Sequence, residues 1–308
     1  MNRVINFHQV SDSHWLEKTI CYLKSKYSVV TADDLDHYYY DDFKLINSVH
    51  ITADDGDKSF YNVIFPVLKK YKIPATLFVS PKICMEESNF WFQEIDAFDH
   101  RNVKKIISDV SHVPAGIIEN NRIESLLKTM QISDIKEVIN KCRKDFPNYV
   151  YPFQNMTVKQ LLEVDKSGLV TIGAHTLNHP ILMNESDSDS YREISKSIEE
   201  LSEILNHEVR YFAYPNGIPE LDFSEREIKY QKTTGIRLAF KNESGNLTDN
   251  NPFSIPRIAI SDTESMNHLN FKFQLGKVWY SLKNLSPGSE YQERKKLIGS
   301  MLVAAISI

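Results

Sequence analysis

Apolar residues follow two rhythms along this chain. Short runs alternate apolar and polar positions, as strands do, at Val4–Phe7, Tyr27–Thr31, around Val49 and Ile51, at Thr76–Val79, Leu169–Ala174, Tyr211–Tyr214, Ile236–Phe240 and Ser254–Ile260. Between them lie stretches with helical spacing. Trp15–Lys26 places Leu16, Ile20 and Leu23 on one face, and Ser59–Lys72 does the same with Val63, Ile64, Val67, Leu68 and Tyr71. Pro66 interrupts the second pattern, which predicts a kink or two abutting helices. Thr157 reads as an N-cap and Gly168 as the stop of its helix; Ser190 with Glu193, and Ser224 with Glu227, read as capping boxes. The first of these boxes opens a helix with Ile194, Ile198, Leu201 and Leu205 along one side. Strands alternating with helices predict a parallel sheet, and at least seven strands predict an α/β barrel.

Two regions break this rhythm. From about residue 86 to 157 only amphipathic stretches occur (Val103–Val110, Ile123–Met130, Ile132–Cys142), which predicts a helical insertion. It opens with Phe90-Trp91-Phe92, of which at least two should pack in a core. Tyr38-Tyr39-Tyr40 likewise reads as packing under a loop before it reads as a sugar-stacking surface. Residues 263–308 predict a helical extension, including Phe271–Leu285, packed on a barrel of residues 1–262.

Composition narrows the function classes. Of 308 residues 42% are hydrophobic, enough for one large α/β domain. The net charge is −5 and no Lys/Arg run marks a nucleic-acid face. Cys21, Cys84 and Cys142 are far apart, odd in number and without metal-site spacing, and Met1–His8 has no signal core; together they point to a cytoplasmic protein. No run reaches the roughly 18 apolar residues of a membrane span. Apolar residues 297–308 follow Arg294-Lys295-Lys296; a helix packed on the barrel is the first reading, a peripheral membrane helix the second.

Chemistry concentrates at two strand ends. Thr52-Ala53-Asp54-Asp55-Gly56-Asp57 sets adjacent carboxylates before a glycine, and although such a sequence also serves as an ordinary exposed turn, the C-terminal end of a strand is where α/β folds place function. The Leu169–Ala174 strand runs straight into His175-Thr176-Leu177-Asn178-His179. Histidines four apart share one face of a helical turn, so both rings reach one ion, and with one carboxylate they make a triad for zinc or another divalent transition metal. The second carboxylate is then free to act as a base.

These motifs resemble the polysaccharide deacetylase family, the NodB-homology group of metal-dependent carbohydrate N-deacetylases. Thr52–Gly56 is similar to its Thr-Phe-Asp-Asp-Gly motif, with Ala53 in place of the aromatic. His175–His179 matches His-Ser/Thr-x-x-His, and Arg210–Gly217 looks like the third motif in its Phe-Ala-Tyr-Pro form. Ile73–Val79 looks like the strand that follows the first motif. The likeness runs from about Ile5 to about Ile260. It implies an irregular (β/α)7-type barrel whose metal, zinc first with cobalt, nickel or iron as alternatives, is held by Asp55, His175 and His179. Asp54 is then the base. The oxyanion and substrate contacts fall on Tyr214, Pro215 and Asn216, chiefly the Asn216 amide, where the family usually has tyrosine.

The family's Leu-x-His acid is missing from its usual place. Phe7-His8-Gln9-Val10 is similar to the Tyr-His-x-Val strand of permuted branches, so His8 is the candidate acid, with a nearby carboxylate expected to favour its protonated form. Arg257 is expected to orient Asp54. His14, His37, His50, His100, His112 and His207 read as surface or core residues. The reading is an N-deacetylase acting on an acetamido sugar (free, nucleotide-linked, lipid-linked or polymeric) in surface-polysaccharide or glycoconjugate synthesis. The alternatives are a carbohydrate-binding barrel without turnover, for which Ala53 gives some room, and a non-haem iron enzyme.

Overall fold

Nine short strands among the described residues carry the architecture of the computed structural model. They are β1 (Arg3–Phe7), β2 (Ser28–Val29), β3 (Ser48–Ala53), β4 (Ala75–Val79), β5 (Val170–Ala174), β6 (Tyr211–Ala213), β7 (Leu238–Lys241), β8 (Ile255–Pro256) and β9 (Ile258–Ala259). The structure describes residues 1–306 apart from 112, 148, 150, 248–250 and 287, so His112 and the last two residues of the apolar tail fall outside it. Every pairing is parallel, in the order β8-β7-β6-β5-β4-β3-β1-β9, with β2 on β3. β8 and β9 are halves of one run broken at Arg257; one half pairs with β7 and the other with β1. The sheet closes on itself through that run, giving the α/β barrel that the alternation predicts.

Strand alternation sorts the side chains. Ile5, Phe7, Leu77, Val79, Ile172 and Phe212 belong to the layer between sheet and helices, whereas Val4, Phe78, Tyr211, Ala213, Leu238, Phe240 and Ile255 fill the barrel interior. Gly173 is the small partner that admits a large one: a Cβ there would lie 2.5 Å from the Phe78 ring and 2.9 Å from the Tyr211 carbonyl oxygen. The same parity puts His8, Asp54, His175 and Arg257 on the interior column at or just past the strand ends. Ala53 falls on the other face and is buried with the helix-facing layer, so losing the family's aromatic changes packing there.

Helix limits follow local signals with two corrections. A π-helical turn at Phe60–Ile64 abuts the helix Phe65–Tyr71, which has Pro66 in its first turn where no amide is needed, as the interruption predicts. Thr157 and Ser224 do form capping boxes. Ser190 does not: the helix begins earlier, at Asp187–Leu205 with Ser186 as N-cap, because Ser186 already caps Asp189. Ser190 instead bonds Glu227. The predicted Phe271–Leu285 helix is two, Met266–Leu275 and Lys277–Leu285, parted at Gly276 with φ +49°.

The helices between β4 and β5 bury their own apolar cluster, including Trp91, Val103, Leu127, Ile135 and Cys142. The C-terminal extension divides its contacts. Leu269 and Phe273 join the barrel core, while the last helix, Glu290–Ile306, buries Leu297 in the insertion's cluster. Leu302 and Val303 on that helix are exposed. No helix of the described residues is long and apolar enough to cross a membrane.

His50 sits inside the barrel with no exposed surface. Its Nδ1–H donates to the Val30 carbonyl at 2.8 Å, and Nε2 accepts from the Thr76 hydroxyl at 2.9 Å. Burial drives its pKa from 6.5 to about 4, against the upward pull of the Val30 carbonyl and Asp34. Below pH 6.5 the unfolded chain gains a proton that the folded one refuses, so stability is full above that pH and falls as pH drops towards about 4. At about 1.4 kcal/mol per unit the loss from this group is on the order of 3 kcal/mol. Urea unfolding between pH 7 and pH 4 should therefore show a shallower pH dependence in His50→Gln than in the parent.

Candidate functional site

Strand parity alone would turn Asp54 and Asp55 to opposite faces. Asp54 continues the ladder, its amide donating to the Phe7 carbonyl at 3.1 Å, and points inward. Asp55 then takes φ +71°, a left-handed conformation that aspartate tolerates better than most residues, and its carboxylate turns back over the barrel mouth. Gly56 follows with φ +70°; a Cβ there would come within 2.9 Å of Val79.

The histidine motif is built the same way, and not as the expected helical turn. His175 leaves β5 still on the ladder, donating to Val79 O at 3.0 Å, after which Thr176 and His179 adopt φ +62° and +55°. A loop so folded brings the two rings to 4.9 Å between centroids. Glu193, buried on the neighbouring helix, accepts from the amides of Leu177 (3.1 Å) and Asn178 (2.9 Å) and from the Asn178 side chain (2.6 Å). Trp91 Nε1 donates to His179 O at 3.0 Å. Sequence reasoning missed both supports; Glu193 was mistaken for half of a capping box.

Asp55, His175 and His179 form a candidate metal group, each offering one donor atom within 4.8 Å of the others. The donors fit such an ion. Nδ1 of His175 donates to Ala213 O at 2.7 Å, which leaves the Nε2 lone pair facing Asp55. Asp55 Oδ1 is buried without a hydrogen-bond partner, 3.6 Å from His175 Nε2 and 3.5 Å from His179 Nε2. Those separations are too long for hydrogen bonds and close to the roughly 3.3 Å between ligands of a tetrahedral zinc. The charge states agree. Burial lowers His175 to about 4 and His179 well below 6.5, so both are neutral donors. Burial, then Asp54 and Asp57, push Asp55 up to about 8, a shift that a positive charge bound beside it would oppose.

Asp54 stands differently. Arg257 grips it in a fork, Nη1 to Oδ1 at 2.7 Å and Nη2 to Oδ2 at 2.8 Å, and Asn6 Nδ2 adds a bond to Oδ2 at 2.8 Å. Burial would raise its pKa, but Arg257, His175 and His8 together hold it well below the usual carboxylate range. Arg257 thus meets Asp54 as expected; Asn6, two positions before His8 on the same inward column, was not foreseen.

His8 Nε2 lies 3.8 Å from Asp54 Oδ2. The expected upward pull of that carboxylate is present, yet desolvation at the mouth, with Arg257 and Lys128, moves the histidine's pKa down on balance. The side chain is 46% exposed, so water tempers that shift relative to the buried pair. Asn216, with φ +56° in the turn after Pro215, lines the same pocket, and its Nδ2 is a buried donor without a partner. Tyr214 does not face the pocket: its ring stacks on Phe223 at 3.8 Å and its hydroxyl donates to Phe253 O. Of the aromatic trio, Phe90 and Trp91 are buried and Phe92 borders the pocket, edge-on to His179 at 5.0 Å. Tyr38 and Tyr39 pack against the interior cluster that includes Val4 and Leu238, residues at the opposite ends of their strands from the site.

Residues 44–239, well over half of the chain, match the sequence model of a family described as polysaccharide deacetylase. β1 with His8 and the closing run with Arg257 lie outside the matched stretch. A curated relative, poly-β-1,6-N-acetyl-D-glucosamine N-deacetylase of Staphylococcus aureus, is 24% identical over 72% of this chain, which spans 57% of the relative's length. Two solved structures share the fold. Streptococcus pyogenes deacetylase PplD in complex with acetate has a TM-score of 0.59 at 17% identity, covering 87% of this chain and 96% of that one. IcaB from Ammonifex degensii has a TM-score of 0.58 at 20% identity, covering 84% and 91%.

Glu193→Ala should leave the buried Leu177 amide and the half-buried Asn178 amide without their partner. Each orphaned buried donor costs about 1–3 kcal/mol, so urea unfolding should show a loss of at least that size, and Glu193→Gln a smaller one. With the loop loosened, calorimetric titration of Zn²⁺ should show affinity falling about 10–100-fold in Glu193→Ala.

Proposed function

The chain belongs to the polysaccharide deacetylase family, and from that premise we propose that it is a metal-dependent hydrolase that removes an N-acetyl group from an amino sugar of a surface polysaccharide or glycoconjugate. The observation that carries the proposal is the pairing of two unlike aspartates: Asp55 faces two neutral histidines, while its neighbour Asp54 is held apart by Arg257. A sugar-binding barrel has no use for that division of labour. A non-haem iron enzyme of the expected kind would sit on a double-stranded β-helix, and this parallel barrel is not one.

Asp55, His175 and His179 would hold the ion, zinc first, with cobalt, nickel or iron as alternatives. Bound there, it supplies Lewis acidity to the amide carbonyl and lowers the pKa of a water molecule. Asp54 takes the proton from the attacking water. Its depressed pKa keeps it ionised across the working range, so it is always ready to accept, but it is a weak base and needs an acidified water as donor. The Asn216 amide, with its unpartnered side chain, faces the developing oxyanion. His8 gives a proton to the leaving nitrogen as the C–N bond breaks, releasing acetate and the free amine. Arg257 and Asn6 do not touch the substrate; they fix the direction of Asp54. A cytoplasmic setting belongs to the proposal, supported by three free cysteines. Poly-β-1,6-N-acetylglucosamine, which the relatives' names specify, is the first substrate to assay.

Metal analysis of protein dialysed against Zn²⁺ should find one ion per chain in the parent and far less in His175→Ala; equal binding by that variant would remove the site. Asp54→Asn should retain the ion and lose most acetate release. If it loses both, the roles of Asp54 and Asp55 are exchanged. His8→Ala should keep metal and substrate binding but slow turnover about 10²–10⁴-fold, the usual range for a general acid, and abolish the basic limb of the pH–rate profile. Parental rates in His8→Ala on a substrate with a poor leaving group would make His8 structural.

A further inference from the structure

Asp55 and His179 sit on separate loops, one after β3 and the other after β5, with β4 between the two strands. No single stretch of backbone therefore fixes their spacing. One five-residue helix of the insertion, Trp91–Ile95, reaches both loops. On one side Trp91 Nε1 donates to the His179 carbonyl at 3.0 Å, and the rings of Phe90 and Phe92 stand edge-on to the His179 imidazole at 5.5 and 5.0 Å between centroids.

Gln93, two residues on from Trp91, turns to the other side. Its Nε2 donates to Asn155 Oδ1 at 2.9 Å, and Asn155 Nδ2 donates back to Gln93 Oε1 at 2.8 Å. Asn155 belongs to the segment that holds the aspartate turn. Met156 N donates to the Gly56 carbonyl at 2.8 Å and Lys58 N to the Gln154 carbonyl at 2.8 Å, an antiparallel bridge that sets Asn155 opposite Asp57. These bonds grip the chain directly after Asp55 and Gly56, the two left-handed residues that turn the Asp55 carboxylate over the barrel mouth.

The amide pair is buried and oriented. Asn155 has no exposed surface and Gln93 is 6% exposed. The Phe90 amide donates to Gln93 Oε1 at 2.8 Å, and Asn155 Nδ2 donates to the Ser88 carbonyl at 3.1 Å. A backbone group that can only donate, or only accept, thus fixes which end of each side chain is oxygen and which nitrogen. An apolar pair would fill the same space without desolvating two amides. What the amides add is direction, since two reciprocal bonds resist sliding as well as separation.

Taking the site as the metal centre of a deacetylase, a reading on which this rests, we infer that Gln93 and Asn155 are positioning residues: through their paired amides the helix Trp91–Ile95 acts as a strut that sets the separation of Asp55 from His179. Neither side chain is a ligand to the ion; they act through the backbones of Gly56 and His179. The insertion is then part of the metal centre and not an appendage to the barrel.

The test titrates the full chain with Zn²⁺ by calorimetry and with Co²⁺ by visible absorption, whose bands follow ligand number and geometry. Gln93→Met, close in volume, and Asn155→Ala should each weaken Zn²⁺ binding about 10–100-fold, the usual effect of losing an outer-shell partner, and alter the Co²⁺ spectrum. Gln93→Asn combined with Asn155→Gln keeps two facing amides of the same total length and should recover much of both. Val103→Ala, which loosens the insertion's apolar cluster without touching the strut, should leave affinity and spectrum at parental values. Parental affinity and spectrum in Gln93→Met and Asn155→Ala overturn the inference and leave the deacetylase reading standing, as does an equal change in Val103→Ala. A parent that binds neither ion overturns both.

Discussion

A single buried ion pair holds barrel and site together. Arg257 and Asp54 are 1% and 3% exposed, and their fork joins the closing run to β3 across the barrel interior. Two charges so deep repay their desolvation only when geometry is close and the remaining donors are used. Here they are: the guanidinium also reaches Asn6 Oδ1 at 3.1 Å, Thr52 Oγ1 at 3.3 Å and the Lys241 carbonyl at 3.3 Å. The break between β8 and β9 falls at Arg257 itself. The residue that interrupts the last strand thus also cross-links the strands on either side of the seam.

That pair explains why adjacent aspartates can behave as different chemical groups. Neighbouring carboxylates in one pocket repel, and the conflict is resolved by giving each a separate environment. Asp54 has a cation and an amide donor. Asp55 has two neutral imidazoles and no hydrogen bond to its Oδ1, and burial with the carboxylates of Asp54 and Asp57 raises its affinity for positive charge. Four of the ten left-handed non-glycine residues among the described ones lie in the same place. Asp55, Thr176, His179 and Asn216 all carry positive φ, conformations that cost on the order of 1–3 kcal/mol each and persist where surrounding contacts impose them. The Glu193 carboxylate and the Trp91 indole are two such contacts.

Much of this was legible in the sequence because strand parity and motif order are local properties. Val49 and Ile51 announce a strand, and its end fixes where Asp54 must point. The third motif put Asn216 at the mouth but suggested Tyr214 beside it; parity instead sends that ring into the helix-facing layer. The histidine pair was read at the right residues with the wrong backbone, since spacing of four is shared by a helical turn and by a loop with two left-handed residues. Glu193 misled because Ser-x-x-Glu is also what a mid-helix residue serving another loop looks like. The ion pair between Lys128 of the insertion and Glu290 of the last helix, 2.7 Å apart, was invisible: it depends on that helix docking against the insertion, and no periodicity encodes that choice of neighbour.

The seam at Arg257 also governs the order of folding. Ile5 pairs with Ile258, so the first strand has its second neighbour only when nearly the whole barrel sequence has been synthesised. Until then β1 offers an open hydrogen-bonding edge, flanked by apolar Val4, Ile5 and Phe7, to any other chain nearby. Pairings this distant in sequence form slowly. A growing chain therefore carries this strand edge unpaired until Ile258 has emerged, and a chaperone that shields residues 3–7 until then would protect a joint on which closure depends.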